Sequence, residues 1–301
     1  MLDTKSIFQV DGIVAVITGG GTGVGWMMAE ALAVNGASKV FILGRRGDTL
    51  SEAAGKYPDI MVPVTCDVTS KESLGMAVDL VTKTTGYINL LVANSGIAGP
   101  AVGYKPGLTI SELRSHLLET PMDAFTQTFH VNVTGAWMTM VAFLELLDAG
   151  NKHAVSRQSG AFGSPIMAES KTPSVQSQVV FTSSLAAFSR GYWTSPNYGS
   201  SKAAITQIMK QASTNLAPYG IRANAIAPGL FPSEMTVDKL ATRNPEEEGP
   251  ENAAFIPCQK FGGATEMAGV ILYLASQAGS FTNGNVLLCD GGRAGVIPAS
   301  Y

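Results

Sequence analysis

The segment GIVAVITGGGTGVGWMMAEALAVNG, residues 12–36, constrains the fold more than any other. It opens as an apolar run, crosses five glycines within the eight positions TGGGTGVG (18–25), and continues at helical spacing to Gly36. A short unbroken apolar run bounded by glycine reads as a strand buried on both faces. The residues that follow read as a helix stopped by Gly36. Glycine loses the most backbone entropy on folding, so five in one turn imply that something approaches the bare backbone. The N–H groups of the turn and of the helix N-terminus converge with partial positive charge, which suits a pyrophosphate.

The same alternation recurs along the chain. KVFILG, IMVPVTCDV, INLLVANSG, SQVVFTSS, IRANAIAPG and GNVLLCDGG read as further buried strands. DTLSEAAGKY, KESLGMAVDLVTKTTG, NYGSSKAAITQIMKQASTNLAPYG and ATEMAGVILYLAS read as helices between them. Strand–helix alternation with buried strands predicts an α/β fold. The expected architecture is one domain, residues 1–301, with a doubly wound parallel seven-stranded sheet and helices on both faces. Between strands four and five the pattern predicts a loop with a short helix (97–120), then one long helix from about Pro121 to Leu147. Residues 149–177 read as a polar surface insertion, and residues 230–263 as a mobile flap with a solvated NPEEEGP segment.

Composition narrows the function classes. A chain of 301 residues with 46% hydrophobic and 14% charged residues is globular. A net charge of −3 gives no argument for a nucleic-acid partner. The uncharged run Thr84–Tyr104 holds Asn89, Asn94, Ser95 and Pro100, so it reads as strand plus loop and not as a membrane span. The start MLDTKSIFQVDG is too polar for a secretory signal, and a cytoplasmic protein is expected. Cys66, Cys258 and Cys289 form no C-x-x-C pair and read as reduced structural thiols. His116, His130 and His153 share no ligand spacing, so no metal is expected.

The spacing Thr18-Gly19-x-x-x-Gly23-x-Gly25 resembles the TGxxxGxG fingerprint of the classical short-chain dehydrogenase/reductase family. The resemblance implies a Rossmann fold, with Gly19, Gly21, Thr22, Gly23, Val24 and Gly25 around a dinucleotide. The second strand ends in GRRGD, with Asp48 beyond it as the expected cap of the next helix. An acidic residue at that strand end would bond the ribose 2′-hydroxyl of NAD, whereas arginine forks a 2′-phosphate. Arg45 and Arg46 therefore favour NADP(H), with NAD as the alternative. In the family the Asp matching Asp67 of CDVT contacts adenine together with the Val68 backbone; taken alone, Asp67 is equally a helix cap. Asn94 and Gly96 of ANSG match the family's Asn-Asn-Ala-Gly, while Ala93 and Ser95 depart from it and remove a side-chain role at 93.

YGSSK places Tyr198 and Lys202 one helical turn apart on one face. Ketone reduction needs a hydride at carbon and a proton at oxygen, and a free phenol titrating near ~10 is a sluggish acid–base group. A neighbouring ammonium favours the phenolate, so Lys202 tunes Tyr198 as proton donor or acceptor. By the resemblance Lys202 also bonds the nicotinamide ribose. Ser184 of FTSSLAA would hold the substrate oxygen, with Ser183 the rival. Asn132 of HVNVTGAW matches the family's water-holding relay residue. Pro228 and Gly229 match its Pro-Gly turn, which puts Phe231 and Ser233 beside the carboxamide, with Thr236 another candidate. Tyr192 and Trp193 read equally as pocket lining or packing.

The expected activity is hydride transfer between NADP(H) and a ketone or secondary alcohol. The flap and the DGGRAGVIPASY tail resemble fungal members like 3-oxoacyl carrier-protein reductases and sugar-alcohol dehydrogenases. Leu230, Phe231, Met235 and Phe255 tilt the substrate towards an apolar or cyclic ketone. The resemblance also implies a homotetramer or homodimer. The rival from another class is a non-catalytic NADP-binding sensor or scaffold.

Overall fold

The computed structural model describes residues 3–156, 162–167 and 169–300. Seven strands form one parallel sheet in the order β3-β2-β1-β4-β5-β6-β7. They are β1 (Val14–Thr18), β2 (Lys39–Gly44), β3 (Met61–Thr65), β4 (Leu90–Ala93), β5 (Gln178–Thr182), β6 (Arg222–Pro228) and β7 (Val286–Cys289). The order reverses between β1 and β4, and ligands of such sheets bind at the carboxyl ends of the strands flanking that point. The helices are α1 (Thr4–Ile7), α2 (Gly23–Val34), α3 (Gly47–Ala54), α4 (Lys71–Thr84), α5 (Ile110–Leu118), α6 (Met122–Phe129), α7 (Ala136–Ala142), α8 (Leu144–Val155), α9 (Pro196–Asn215), α10 (Val237–Ala241) and α11 (Ala264–Ala275).

The alternation within β1 divides the core. Ala15 and Ile17 face a layer with Met28 and Leu32 of α2, Leu50 of α3 and Ile271 of α11. Val14 and Val16 face the opposite layer, with Leu74 of α4, Met140 of α7 and Met209 of α9. Burial on both faces is why the inner strands read as continuous apolar runs, whereas β3 and β7, also expected to be buried, are the sheet edges and stay partly exposed.

The helix expected from Pro121 to Leu147 is not continuous. A π-turn, His130–Gly135, separates α6 from α7, and Phe143 (φ −98°, ψ 5°) separates α7 from α8. The chain bends by 45° at the second break, and among the described residues no single helix is long and apolar enough to cross a membrane. Residues 149–155, expected in the insertion, complete α8. Gly150 of α8 sits where a Cβ would lie 2.0 Å from the Ile88 carbonyl oxygen, so the helix needs a bare backbone there.

The insertion is not wholly superficial, since Phe162 and Val175 are buried in the α2 side of the core. Residues 157–161 and 168 of it lie outside the described residues. Asp48 is not a cap: Arg46 occupies the N-cap position of α3, without a side-chain bond. Nor is all of NPEEEGP solvated. Glu248 is buried and receives the Arg243 guanidinium through Nε at 2.7 Å and Nη2 at 2.6 Å. The Glu248 carboxyl is held below its usual range by those bonds. Arg243 and Arg293 also donate to the Ala254 carbonyl, which ties the flap to the segment after β7. Of the three free cysteines Cys66 is buried, but Cys258 is exposed and so is not a core thiol.

Candidate active site

The site is built on the carboxyl ends of β1, β4, β5 and β6. β1 delivers the chain into the Gly-rich turn, where Gly23 takes φ +56°, a conformation that favours glycine. A Cβ on Gly25 would lie 2.1 Å from the Gly19 carbonyl oxygen, so α2 can start this close to β1 only without a side chain. Thr22 is the N-cap of α2 but makes no side-chain cap bond. The turn and the uncapped N–H groups thus form a cradle that fits a dinucleotide pyrophosphate. Val24, by contrast, packs against the core, and a Cβ on Gly21 would meet Leu50 at 3.2 Å.

Asn94 follows β4 and joins three strands. Its amide nitrogen donates to the Thr18 carbonyl at 2.9 Å and to the Gly19 carbonyl at 3.4 Å. Its oxygen accepts from the Thr182 hydroxyl at 3.0 Å. The Asn94 side chain is therefore committed within the protein, and it shapes the Gly turn from behind. Asp67 accepts from the Thr69 N–H at 2.9 Å and the Thr69 hydroxyl at 2.7 Å, and these bonds hold its carboxyl below the usual range. The cap of α4 is Ser70, so the helix-cap reading of Asp67 fails. Val68 packs its side chain against Gly135 of the π-turn.

The candidate catalytic side chains come from β5, the segment after it, and α9. Lys202 is buried and its ammonium donates to the Thr182 carbonyl at 2.8 Å. Burial lowers its pKa to about 8. Its Nζ lies 5.7 Å from the centre of the Tyr198 ring. Burial raises the Tyr198 pKa, and a hydrogen bond with the Ser184 hydroxyl opposes the rise. Ser184 also accepts from the Ala186 N–H at 3.1 Å. Ser183 points the other way: its hydroxyl pairs with Thr206 Oγ1 at 2.7 Å and reaches the Lys202 carbonyl at 3.1 Å. The two serines thus divide, Ser184 towards the phenol and Ser183 fastening β5 to α9.

Asn132 lies in the π-turn, a rare local geometry that often marks functional sites. It is buried; its oxygen accepts from the Ile97 N–H at 2.8 Å, and its nitrogen donates to the Ile97 carbonyl and to Ser201 Oγ, both at 3.0 Å. Gly96 is the bare surface between Asn132 and Lys202, since a Cβ there would sit 3.1 Å from Asn132 Oδ1 and 3.4 Å from Lys202 Nζ.

The β6 end is less as expected. Pro228 closes the strand, and the Gly229 N–H donates to the Cys289 carbonyl at 2.8 Å. The Phe231 ring is buried in the core against Gly262, so it is not free to face a carboxamide. Ser233 lies over the Gly turn, its Cβ 3.0 Å from where a Gly23 Cβ would be, and its hydroxyl meets Thr236 Oγ1 at 2.9 Å. Arg45 is exposed at the end of β2, and its charge helps hold Asp67 ionised. Arg46 is paired with Glu234 of the flap, a partner the sequence reading did not foresee. Thr182 and Ser201 were also missed, although both lie inside quoted motifs as apparent spacers.

Beside the N-terminus of α9, Val102, Tyr104, Leu117, Met122 and Phe125 line a cavity of about 350 Å³ that also touches Asn197, the residue before Tyr198. Tyr192 and Trp193 stay partly exposed and pack edge to face at 4.9 Å.

Residues 13–161 match the family described as short chain dehydrogenase, and residues 153–294 match the one described as enoyl-(acyl carrier protein) reductase. The chain belongs to the short-chain dehydrogenase/reductase family and is an oxidoreductase of the NAD(P)-binding Rossmann class. It is 53% identical to short-chain dehydrogenase/reductase SAT3 of Stachybotrys chartarum over 91% of this chain and 100% of that protein. It is 44% identical to PhomF of Diaporthe leptostromiformis over 100% of this chain and 97% of that one. Among solved structures, Pseudomonas aeruginosa RhlG in complex with NADP aligns with a TM-score of 0.73 and 27% identity, covering 96% of this chain and 99% of that one.

Proposed function

We propose that the protein transfers a hydride between NADP(H) and the carbonyl or carbinol carbon of a small, largely apolar ketone or alcohol. The observation that carries this reading is the Ser184–Tyr198–Lys202 cluster, where a buried ammonium lies 5.7 Å from the centre of a buried phenol ring whose pKa the Ser184 hydroxyl lowers. When bound, the nicotinamide supplies or accepts the hydride. Ser184 holds the substrate oxygen and bears part of the charge that develops on it. Tyr198, which burial keeps protonated at neutral pH, gives its proton to that oxygen in reduction and takes it back in oxidation. Lys202 limits the cost of the phenolate by its charge, and its remaining donors would serve the nicotinamide ribose hydroxyls, as the family resemblance implies.

Both amide donors of Asn132 are used by Ile97 and Ser201, so its part in a water relay falls to the main chain of the π-turn. The Gly turn, with Gly19, Gly21, Thr22, Gly23 and Gly25, would hold the pyrophosphate, and Arg45 and Arg46 the 2′-phosphate. The apolar cavity beside α9 and the presence of Met235 at an exposed flap position support an apolar substrate.

The test is NADPH oxidation against a panel of cyclic, acyl-thioester and polyol ketones, with parent protein and Tyr198→Phe. The variant is expected to lose at least about a hundredfold in kcat/KM while binding NADPH as before. Turnover by Tyr198→Phe at the parent rate would refute the assignment.

A further inference from the structure

Arg46, assigned above to the 2′-phosphate, already has a carboxylate on it. Its Nη2 donates to both oxygens of Glu234, at 2.8 and 3.0 Å, across 188 positions of sequence. Glu234 is held there by more than its own ion pair. The preceding Ser233 rests on Gly23. Thr236 Oγ1 donates to the Phe231 carbonyl at 2.5 Å, and the Phe231 ring is anchored in the core. The Thr236 and Val237 N–H groups both donate to the Ser233 carbonyl at 3.0 Å. The turn that carries Glu234 is therefore tied to the buried part of the flap and to the phosphate turn together. Neither Glu234 nor this contact has a part in the chemistry described so far.

We infer that Glu234 is a cofactor-specificity residue: it sets a negative charge on the guanidinium that a 2′-phosphate needs, and so lowers the preference for NADPH over NADH that Arg45 and Arg46 create. The inference rests on the NADP reading given above. Three N–H donors of Arg46, one on Nε and two on Nη1, lie outside the bonds to Glu234, so NADPH can bind without expelling Glu234. A phosphate dianion then shares the guanidinium with a carboxylate, and the two anions repel. NADH carries a neutral hydroxyl at that position and does not meet the penalty. Both side chains are 60% exposed, so water and salt screen the effect to the scale of an exposed ion pair. On that scale the bias amounts to about threefold to fivefold in affinity.

The experiment titrates the full chain with NADPH and, separately, with NADH, following protein fluorescence, for parent, Glu234→Gln, Glu234→Asp and Arg46→Ala. Glu234→Gln is expected to tighten NADPH about threefold to fivefold and to leave NADH within about twofold. The gain should shrink as salt is raised. Glu234→Asp should keep the parental ratio, and Arg46→Ala should lose most of the NADPH advantage. An unchanged NADPH-to-NADH ratio in Glu234→Gln overturns the inference. So does an equal weakening of both cofactors, which would make Glu234 a structural clasp. A parent that prefers NADH overturns the NADP reading instead, while the role of Glu234 is still decided by how far Glu234→Gln moves the ratio from its parental value.

Discussion

Lys202→Met removes one ammonium and keeps an apolar stem of similar length, so it isolates what burying that charge costs the ligand-free fold. In the folded protein the amine is buried and donates to the Thr182 carbonyl at 2.8 Å, and burial lowers its pKa from 10.5 to about 8. In the unfolded chain it titrates near its ordinary value. Below about pH 8 both states hold the proton, and the folded state bears the whole desolvation cost. Between about 8 and 10.5 the folded protein sheds its proton while the unfolded chain keeps it. Stability therefore rises with pH across that window, at about 1.36 kcal/mol per pH unit at most. The window is about 2.5 pH units wide, so the rise is on the order of 3 kcal/mol.

The assay is urea unfolding of parent and Lys202→Met, without cofactor, at closely spaced pH values from about 7 to 10.5. Titrating groups away from Lys202 act on both proteins and cancel in the difference, and the pair is compared in a Tyr198→Phe background because Lys202 also bears on that phenol. The parent is expected to gain on the variant steadily across the window, by a few kcal/mol in all. A difference that stays flat, or that falls with pH, would refute the claim that Lys202 is desolvated by the fold. It would also remove the reason for calling its charge costly and hence functional.

Three further outcomes are expected. The two serines should separate cleanly. Ser183→Ala loses its buried bonds to Thr206 and Lys202 and should destabilise by about 1–3 kcal/mol in urea with kcat little changed. Ser184→Ala should keep parental stability within about 1 kcal/mol and lower kcat/KM about a hundredfold or more. Arg222→Met removes the guanidinium donors at 3.0 and 2.9 Å from the Gly279 and Thr282 carbonyls, which keep the Thr282 N–H and Asn224 Nδ2 respectively, each at 2.9 Å, and should cost about 1–3 kcal/mol of stability. A cost below about 1 kcal/mol would mean that the remaining donors satisfy both carbonyls.

The sheet was legible because its inner strands β1, β2, β4, β5 and β6 are buried on both faces and show as apolar runs, while the partly exposed edge strands β3 and β7 were legible from their place in the strand–helix alternation. The Gly turn was legible because its geometry admits few residues, as the positive φ of Gly23 and the 2.1 Å clearance at Gly25 show. Tyr198 and Lys202 were legible because one helical turn relates them. What failed to show depends on partners far along the chain. The π-turn at Asn132 is held by Ile97 and Ser201, 35 and 69 positions away, and nothing in HVNVTGAW itself distinguishes it from plain helix. Gly150 looks like a breaker by local propensity, yet the helix runs through it because Ile88 needs the space. Glu248 sits in a run of three acids that looks solvated until Arg243 is folded onto it.

The same distinction explains why the adenosine end of the site was read only halfway. GRRGD gave the cations, because a strand end with no carboxylate is visible as a short string. The anion that qualifies them, Glu234, comes from the β6 side of the sheet, and β6 lies four strands from β2 in the sheet order. Local sequence can therefore say which charge the cofactor pocket offers at one edge, but the net field there is a sum over loops that meet only in the fold. On the reading proposed above, cofactor preference in this chain is such a sum: Arg45 and Arg46 would set its sign, and the flap carrying Glu234 would set how far it goes.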